Sequence, residues 1–173
     1  MASIGIIGSE GRMGQALREA IVAAGHVVAG GVDKGEDVSR LADASDALVD
    51  FSAPGALQNN LHAAIGAGIP ILIGTTGLAE EHHLAIDHAA QAVAVLQTGN
   101  TSLGVTLLAH LVQEAAARLG PDWDVEIVEM HRRMKVDAPS GTAILLGEAA
   151  ARGRGIDLAG HTESGRHGHT GAR

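Results

Sequence analysis

The chain of 173 residues has no cysteine, which removes disulfides, thiolate metal ligands and thiol nucleophiles and suits a reducing cytoplasm. Aromatic residues are 1% of it, Phe51 and Trp123 alone. Base stacking on an aromatic platform is therefore excluded, and a core has to be built from Ala, Val, Ile and Leu with many glycines. Basic residues are in deficit, since 12 Lys and Arg against 20 Asp and Glu leave a formal net charge of −8. A general nucleic-acid binder, whose affinity rests on phosphate neutralisation, is not expected. No apolar run approaches the roughly 20 residues of a membrane span. The opening MASIGIIG also lacks the basic region and cleavage site of a secretory signal. With 46% hydrophobic and 18% charged residues, the reading is a soluble, cytoplasmic, globular chain. Its length suits one domain, or one plus part of another.

Short β-branched runs alternate with Ala-rich helical patterns. Ser3–Ile7, Val27–Val32, Ala47–Phe51, Pro70–Ile73 and Ala94–Gln97 read as strands, and Arg12–Ala24, Ala56–Ala67, Ala79–Ala92 and Leu103–Leu119 as helices. The strands are near-continuous apolar runs, the pattern of a parallel sheet covered on both faces, so the expectation is a doubly wound α/β sheet. At Gly120-Pro121-Asp122 a turn signal breaks the rhythm and a longer strand is expected over Asp124–His131. The domain boundary is placed there: 1–121 for a dinucleotide-binding domain, 122–173 for a partial α+β domain. A helix should start near Ser140, capped by its hydroxyl or that of Thr142, and run to about Arg152. From Gly153 the chain reads as a surface loop or a disordered tail.

Gly8-Ser9-Glu10-Gly11-Arg12-Met13-Gly14 directly follows the first strand and opens a helix. Glycines there permit a tight turn, approach of a pyrophosphate to backbone N–H groups, and close helix–strand packing. The spacing is GxxGxxG, which alone fits a plain turn equally well. Asp33, at the end of the second strand about 20 residues past the last glycine, adds an acid for ribose hydroxyls. Lys34 beside it is either a partner for a ribose phosphate or a solvated charge, so both NADH and NADPH stay open. Three more strand ends lie at the same edge: Asp50-Phe51-Ser52-Ala53-Pro54, Gly74-Thr75-Thr76-Gly77 and Gly99-Asn100-Thr101-Ser102. Gly74, Thr75 and Thr76 are candidates for the nicotinamide side or form a plain turn, Phe51 is a further cofactor-binding candidate, and Asn100 either bonds a carboxamide or positions a loop.

The densest chemistry is in Glu126 to Ala143, EIVEMHRRMKVDAPSGTA. Taken singly, His131 fits a structural histidine and Lys135 a surface lysine. Their coupling to a small-residue helix start at Ser140-Gly141-Thr142 changes the reading. Orphan N–H groups and the positive end of a helix dipole favour an anion, and Arg132, Arg133 and Lys135 add cations, so a carboxylate fits. The ten histidines raise a metal site, but His82, His83 and His88 fall on an exposed helix face and His161, His167 and His169 in an irregular tail; no metal is expected.

GSEGRMG, DFSAP, GTTG and EIVEMHRRMKVDAPSGTA in this order resemble 4-hydroxy-tetrahydrodipicolinate (dihydrodipicolinate) reductases. The family signature E-[IV]-x-E-x-H-x-x-x-K-x-D-x-P-S-G-T-A is matched at every fixed position, and SGRHGHTGAR resembles a later family segment. The resemblance implies NADH- or NADPH-dependent reduction of a small cyclic dicarboxylate on the diaminopimelate route to lysine. It implies His131 and Lys135 as the catalytic pair, either one donating the proton, and Gly141 and Thr142 as the carboxylate cradle with Ser140 and Arg132 beside it. It implies Gly8, Gly11, Arg12, Met13 and Gly14 as the nucleotide loop, Asp33 as the ribose acid, and Gly74, Thr75 and Thr76 on the nicotinamide side. Asn100 sits in the family's interdomain loop.

Arg132 stands where some members have a second histidine, and Thr101 where some have an aromatic residue. Members continue past the last matched segment and form homotetramers, so a C-terminally truncated form is expected here. A catalytically impaired fragment that only binds nucleotide is the alternative to a working reductase.

Overall fold

In a computed structural model, which describes residues 1–133, 135, 137–165 and 168–169, the apolar runs pair side by side. Strands β1 (Ser3–Ile7), β2 (Val27–Val32), β3 (Ala47–Asp50), β4 (Ile71–Ile73) and β5 (Val95–Gln97) form one five-stranded sheet in the order β2-β1-β3-β4-β5, all parallel. Parallel neighbours require crossovers. These are α1 (Arg12–Ala23), α2 (Val38–Asp43), α3 (Leu57–Ala67) and α4 (Glu80–Ala89). The core lies where the helices meet the sheet, with Ile6, Leu48, Leu57 and Ile73 fully buried. Doubly wound α/β architecture is thus what the strands' unbroken hydrophobicity encodes.

Register decides where the loops emerge. Ile7 lies level with Val32 and Asp50, Asp50 with Ile73, and Ile73 with Gln97, so the carboxyl ends of all five strands share one edge. The order turns at β1, which has β2 on one side and β3 on the other. Open α/β sheets bind ligands in the crevice at such a reversal. The glycine loop leaves β1 there and the Phe51 loop leaves β3.

Residues Met1–Thr98 form one compact unit and Gly99–Arg173 a second. The division falls before α5 (Leu103–Leu119), which the sequence reading puts in the first domain. The reason is packing: α5 lies against α6 (Gly141–Arg154), so closely that a Cβ on Gly153 would fall on the Gln113 carbonyl. The second unit also holds a short antiparallel pair, β6 (Asp137–Ala138) with β7 (Gly168–His169).

The long strand expected over Asp124–His131 is not formed among the described residues. A strand needs a neighbour's backbone to bond to, and no described residue pairs with this segment. Val128 is 86% and Met130 92% exposed on it. Of SGRHGHTGAR, Arg166, His167 and residues 170–173 lie outside the described residues. Among those described, no helix is long and apolar enough to cross a membrane.

Candidate functional site

In the first unit the carboxyl edge is organised by close backbone approaches. Gly8 turns the chain out of β1 with φ +85°, and a Cβ on it would sit 2.7 Å from the Phe51 carbonyl oxygen. Gly14, in the first turn of α1, has no room for a Cβ against the Gly8 and Ser9 backbone. Helix α1 starts at Gly11 with no side-chain cap and no acid in its first turn. The N–H groups of Arg12 and Met13 find no acceptor among the described residues. Uncapped amides beside a surface with no side chain in the way form an anion cradle, and a pyrophosphate suits it.

Asp33 ties this loop to β2. Its Oδ2 accepts from the Ser9 hydroxyl at 2.8 Å and from the Glu10 N–H at 2.9 Å. No described donor occupies Oδ1, which leaves an acceptor for a ribose hydroxyl. Its own N–H donates to Glu36 Oε2 at 2.6 Å. Lys34 is exposed. The far end of the Phe51 ring lies against Gly74, where a Cβ would collide with it. Phe51 therefore touches both the glycine loop and the loop after β4. Thr75 is buried with its hydroxyl turned inward to Asp50 at 3.2 Å, while Thr76 faces outward.

In the second unit Ser140 caps α6, its Oγ accepting from the Ala143 N–H at 3.1 Å. Thr142 does not cap. Its hydroxyl accepts from Asn100 Nδ2 at 2.8 Å, and Asn100 Oδ1 accepts from the Ser102 N–H at 2.8 Å. Asn100 thus positions the α6 start and the α5 entrance. The N–H groups of Gly141 and Thr142 have no described acceptor and point out of the helix start.

Glu129 binds this helix start to the candidate catalytic histidine. Its Oε1 accepts from the Ser140 N–H at 2.9 Å and its Oε2 from His131 Nε2 at 2.6 Å. Partial burial opposes ionisation of Glu129, but the hydrogen bonds from Ser140 and the facing imidazole outweigh it and hold the carboxyl at about 2. A carboxylate only accepts, so the imidazole nitrogen facing it carries the proton. Lys135 lies half-buried, its N–H bonded to the Arg132 carbonyl at 3.1 Å. Arg132 is exposed.

Comparison with known proteins covers both units. The family model described as "Dihydrodipicolinate reductase, N-terminus" matches residues 2–101, and its C-terminal counterpart matches residues 104–173. The chain belongs to the dihydrodipicolinate reductase family. It is 54% identical over 162 residues to the 4-hydroxy-tetrahydrodipicolinate reductase of Zymomonas mobilis, across 90% of this chain and 64% of that protein. It is 52% identical over 143 residues to that of Methylocella silvestris, across 83% of this chain and 53% of that protein. The chain therefore spans between about half and two thirds of the length of these two relatives. A dipicolinate-bound dihydrodipicolinate reductase from Paenisporosarcina sp. TG-14 shares the fold, with a TM-score of 0.64 at 23% identity over 89% of this chain and 67% of that one.

Two residues of this dihydrodipicolinate reductase family member, Glu129 and Asp50, organise the site without being candidates on sequence alone. Glu129 had a legible signal: on an extended segment, residues two apart share a face, which puts Glu129 beside His131. Asp50 had none. An acid at the end of an apolar strand reads as the start of a loop, whereas in the structure Asp50 is fully buried.

Proposed function

We propose that this chain carries the reductase chemistry of its family: NADH- or NADPH-dependent conversion of 4-hydroxy-tetrahydrodipicolinate to tetrahydrodipicolinate, in the diaminopimelate route to lysine. The observation that carries the reading is the Glu129-His131-Ser140 constellation. It couples a titratable ring to a helix start with free amides, which is what a dianionic substrate and a proton transfer require.

The first unit fits a nicotinamide dinucleotide. Arg12 and Met13 amides would hold the pyrophosphate, Gly8 and Gly14 leave the space for it, and Asp33 Oδ1 would take a ribose hydroxyl. Asp33 favours unmodified ribose, as in NADH, while exposed Lys34 suits the extra phosphate of NADPH. When bound, the cofactor supplies a hydride. The reduction takes up that hydride and one proton and releases the 4-hydroxyl as water.

In the second unit, the Gly141 and Thr142 amides would hold a substrate carboxylate, with Arg132 adding positive charge. Lys135 stabilises negative charge building on the ring nitrogen and its neighbouring carboxylate. With Glu129 accepting from Nε2, His131 exchanges its proton through Nδ1, and either His131 or Lys135 delivers the proton that completes the reduction.

Substrate-dependent loss of NADH or NADPH absorbance tests this. His131→Gln and Lys135→Ala should each lower turnover by roughly 10²–10⁴-fold; unchanged turnover in both overturns the assignment. A second reading, nucleotide binding without turnover, is favoured by the Asp124–His131 segment, which forms no strand among the described residues. It predicts calorimetric binding of NADH or NADPH with no substrate-dependent oxidation.

A further inference from the structure

We infer that Asp50 is a positioning residue for the nicotinamide end of the cofactor site, an inference resting on the cofactor reading above. Asp50 closes β3, the middle strand of the sheet, and its side chain has no solvent exposure. A carboxylate taken out of water is tolerated only where donors fill its lone pairs. Here Oδ1 accepts from the Ser52 N–H at 2.8 Å, the Ser52 hydroxyl at 2.6 Å and the Thr75 hydroxyl at 3.2 Å, and Oδ2 accepts from Asn60 Nδ2 at 2.8 Å. The donors come from three separate segments: the loop after β3, helix α3, and the loop after β4.

The main chain repeats the link, since the Asp50 carbonyl accepts from the Gly74 N–H at 2.9 Å. Asp50 therefore holds the Gly74-Thr75 turn by backbone and by side chain. Phe51 next to it has its ring against Gly74 and its carbonyl against Gly8. Movement at Asp50 therefore passes through Phe51 and Thr75 into the loop after β4. Thr75 has its hydroxyl directed inward, so its polar contribution to the edge is made through Asp50, and exposed Thr76 follows it directly in the chain. Asp33 and the start of α1, which would serve the pyrophosphate and a ribose, make no hydrogen bond to this network.

That separation makes a positioning role distinguishable from simple stabilisation. Asp50→Asn removes the charge and one acceptor at constant volume. Asn60, whose amide can turn to offer its oxygen, gives the variant a route to stay folded. NADH and ADP-ribose, which lacks the nicotinamide, are the two probes, titrated calorimetrically against the whole chain. Asp50→Asn should weaken NADH about tenfold and ADP-ribose by less than about twofold. Thr75→Val, which cuts only the link to the loop after β4, should reproduce this pattern, and Thr75→Ser should restore it. The Thr75 pair also decides the matter if Asp50→Asn does not fold.

Equal weakening of both probes, or of neither, overturns the inference in favour of a purely structural network. Wild-type chain that binds ADP-ribose as tightly as NADH overturns the inference and leaves the cofactor reading standing. Wild-type chain that binds neither probe and no NADPH overturns both, and for a chain that binds NADPH alone the same comparison is made with NADPH and 2′-phospho-ADP-ribose.

Discussion

Glu129→Gln tests the arrangement on which the proton-transfer site rests. The substitution keeps the shape and an oxygen for the Ser140 N–H, and removes the charge that faces His131. In the folded chain the Glu129 carboxyl is drawn from 4.5 to about 2, despite a burial cost that works the other way. At about 1.4 kcal/mol per tenfold change in proton affinity this corresponds to about 3 kcal/mol. With 28% of the Glu129 side chain and 35% of His131 exposed, solvent screening brings the expected contribution down to roughly 1–2 kcal/mol. The sign follows from linkage: a carboxyl lower in the folded than in the unfolded chain contributes fully above the unfolded value, near 4.5, and loses the contribution as pH falls from there through about 2. Urea unfolding followed by Trp123, the one tryptophan and a member of the same compact unit, reads the difference directly. At neutral pH the variant should be less stable than wild type by roughly 1–2 kcal/mol, and the gap should close by more than half at about pH 3. A gap absent at neutral pH, or one that persists undiminished to about pH 3, would refute the reasoning.

Ser140→Ala removes the α6 cap and should lower stability by about 1 kcal/mol in the same Trp123-monitored unfolding. A larger loss would mean that the serine also organises the segment carrying Glu129. Gly14→Ala separates two opposed effects. Helix propensity alone would raise stability by about 1 kcal/mol, whereas a Cβ there meets only backbone of Gly8 and Ser9, so the loop must move and the net effect should be a loss of about 2 kcal/mol or more. Thermal unfolding gives the sign, and a stabilised Gly14→Ala chain would refute close packing of the glycine loop on α1.

The first unit was largely legible because its strands are buried on both faces and its longer helices show their own period. All five sheet strands fall within a residue of their expected limits. Helix α2 was missed because six residues give too short a window for a period; its signal is local, Asp37 accepting from the Ser39 N–H at 2.9 Å. The second unit was less legible because its order depends on partners distant in sequence. The Asp124–His131 alternation describes a segment ready to be a strand, but strand pairing is a property of two segments, and sequence pattern in one of them does not supply the other. Likewise Leu103–Leu119 is unmistakably helical, yet which unit it joins is decided by its fit against α6.

The same distinction governs the sites. Residue types that act through backbone freedom are visible in sequence, because Gly8 and Gly14 are needed where a chain must turn or approach closely. Polar side chains at loop ends are not, because direction decides their role. Thr75 and Thr76 are chemically identical neighbours, and one is turned in to a buried carboxylate while the other faces solvent. Asn100 has the groups to bind a carboxamide and uses them on Thr142 and Ser102. Asp50 and Glu129 extend the point. Each holds together two or more loops that carry the candidate chemistry, and each is an acid whose usual place is the surface. A buried or half-buried carboxylate retained in such a place is most economically explained by what it orients, since a neutral, apolar replacement would avoid the desolvation it carries.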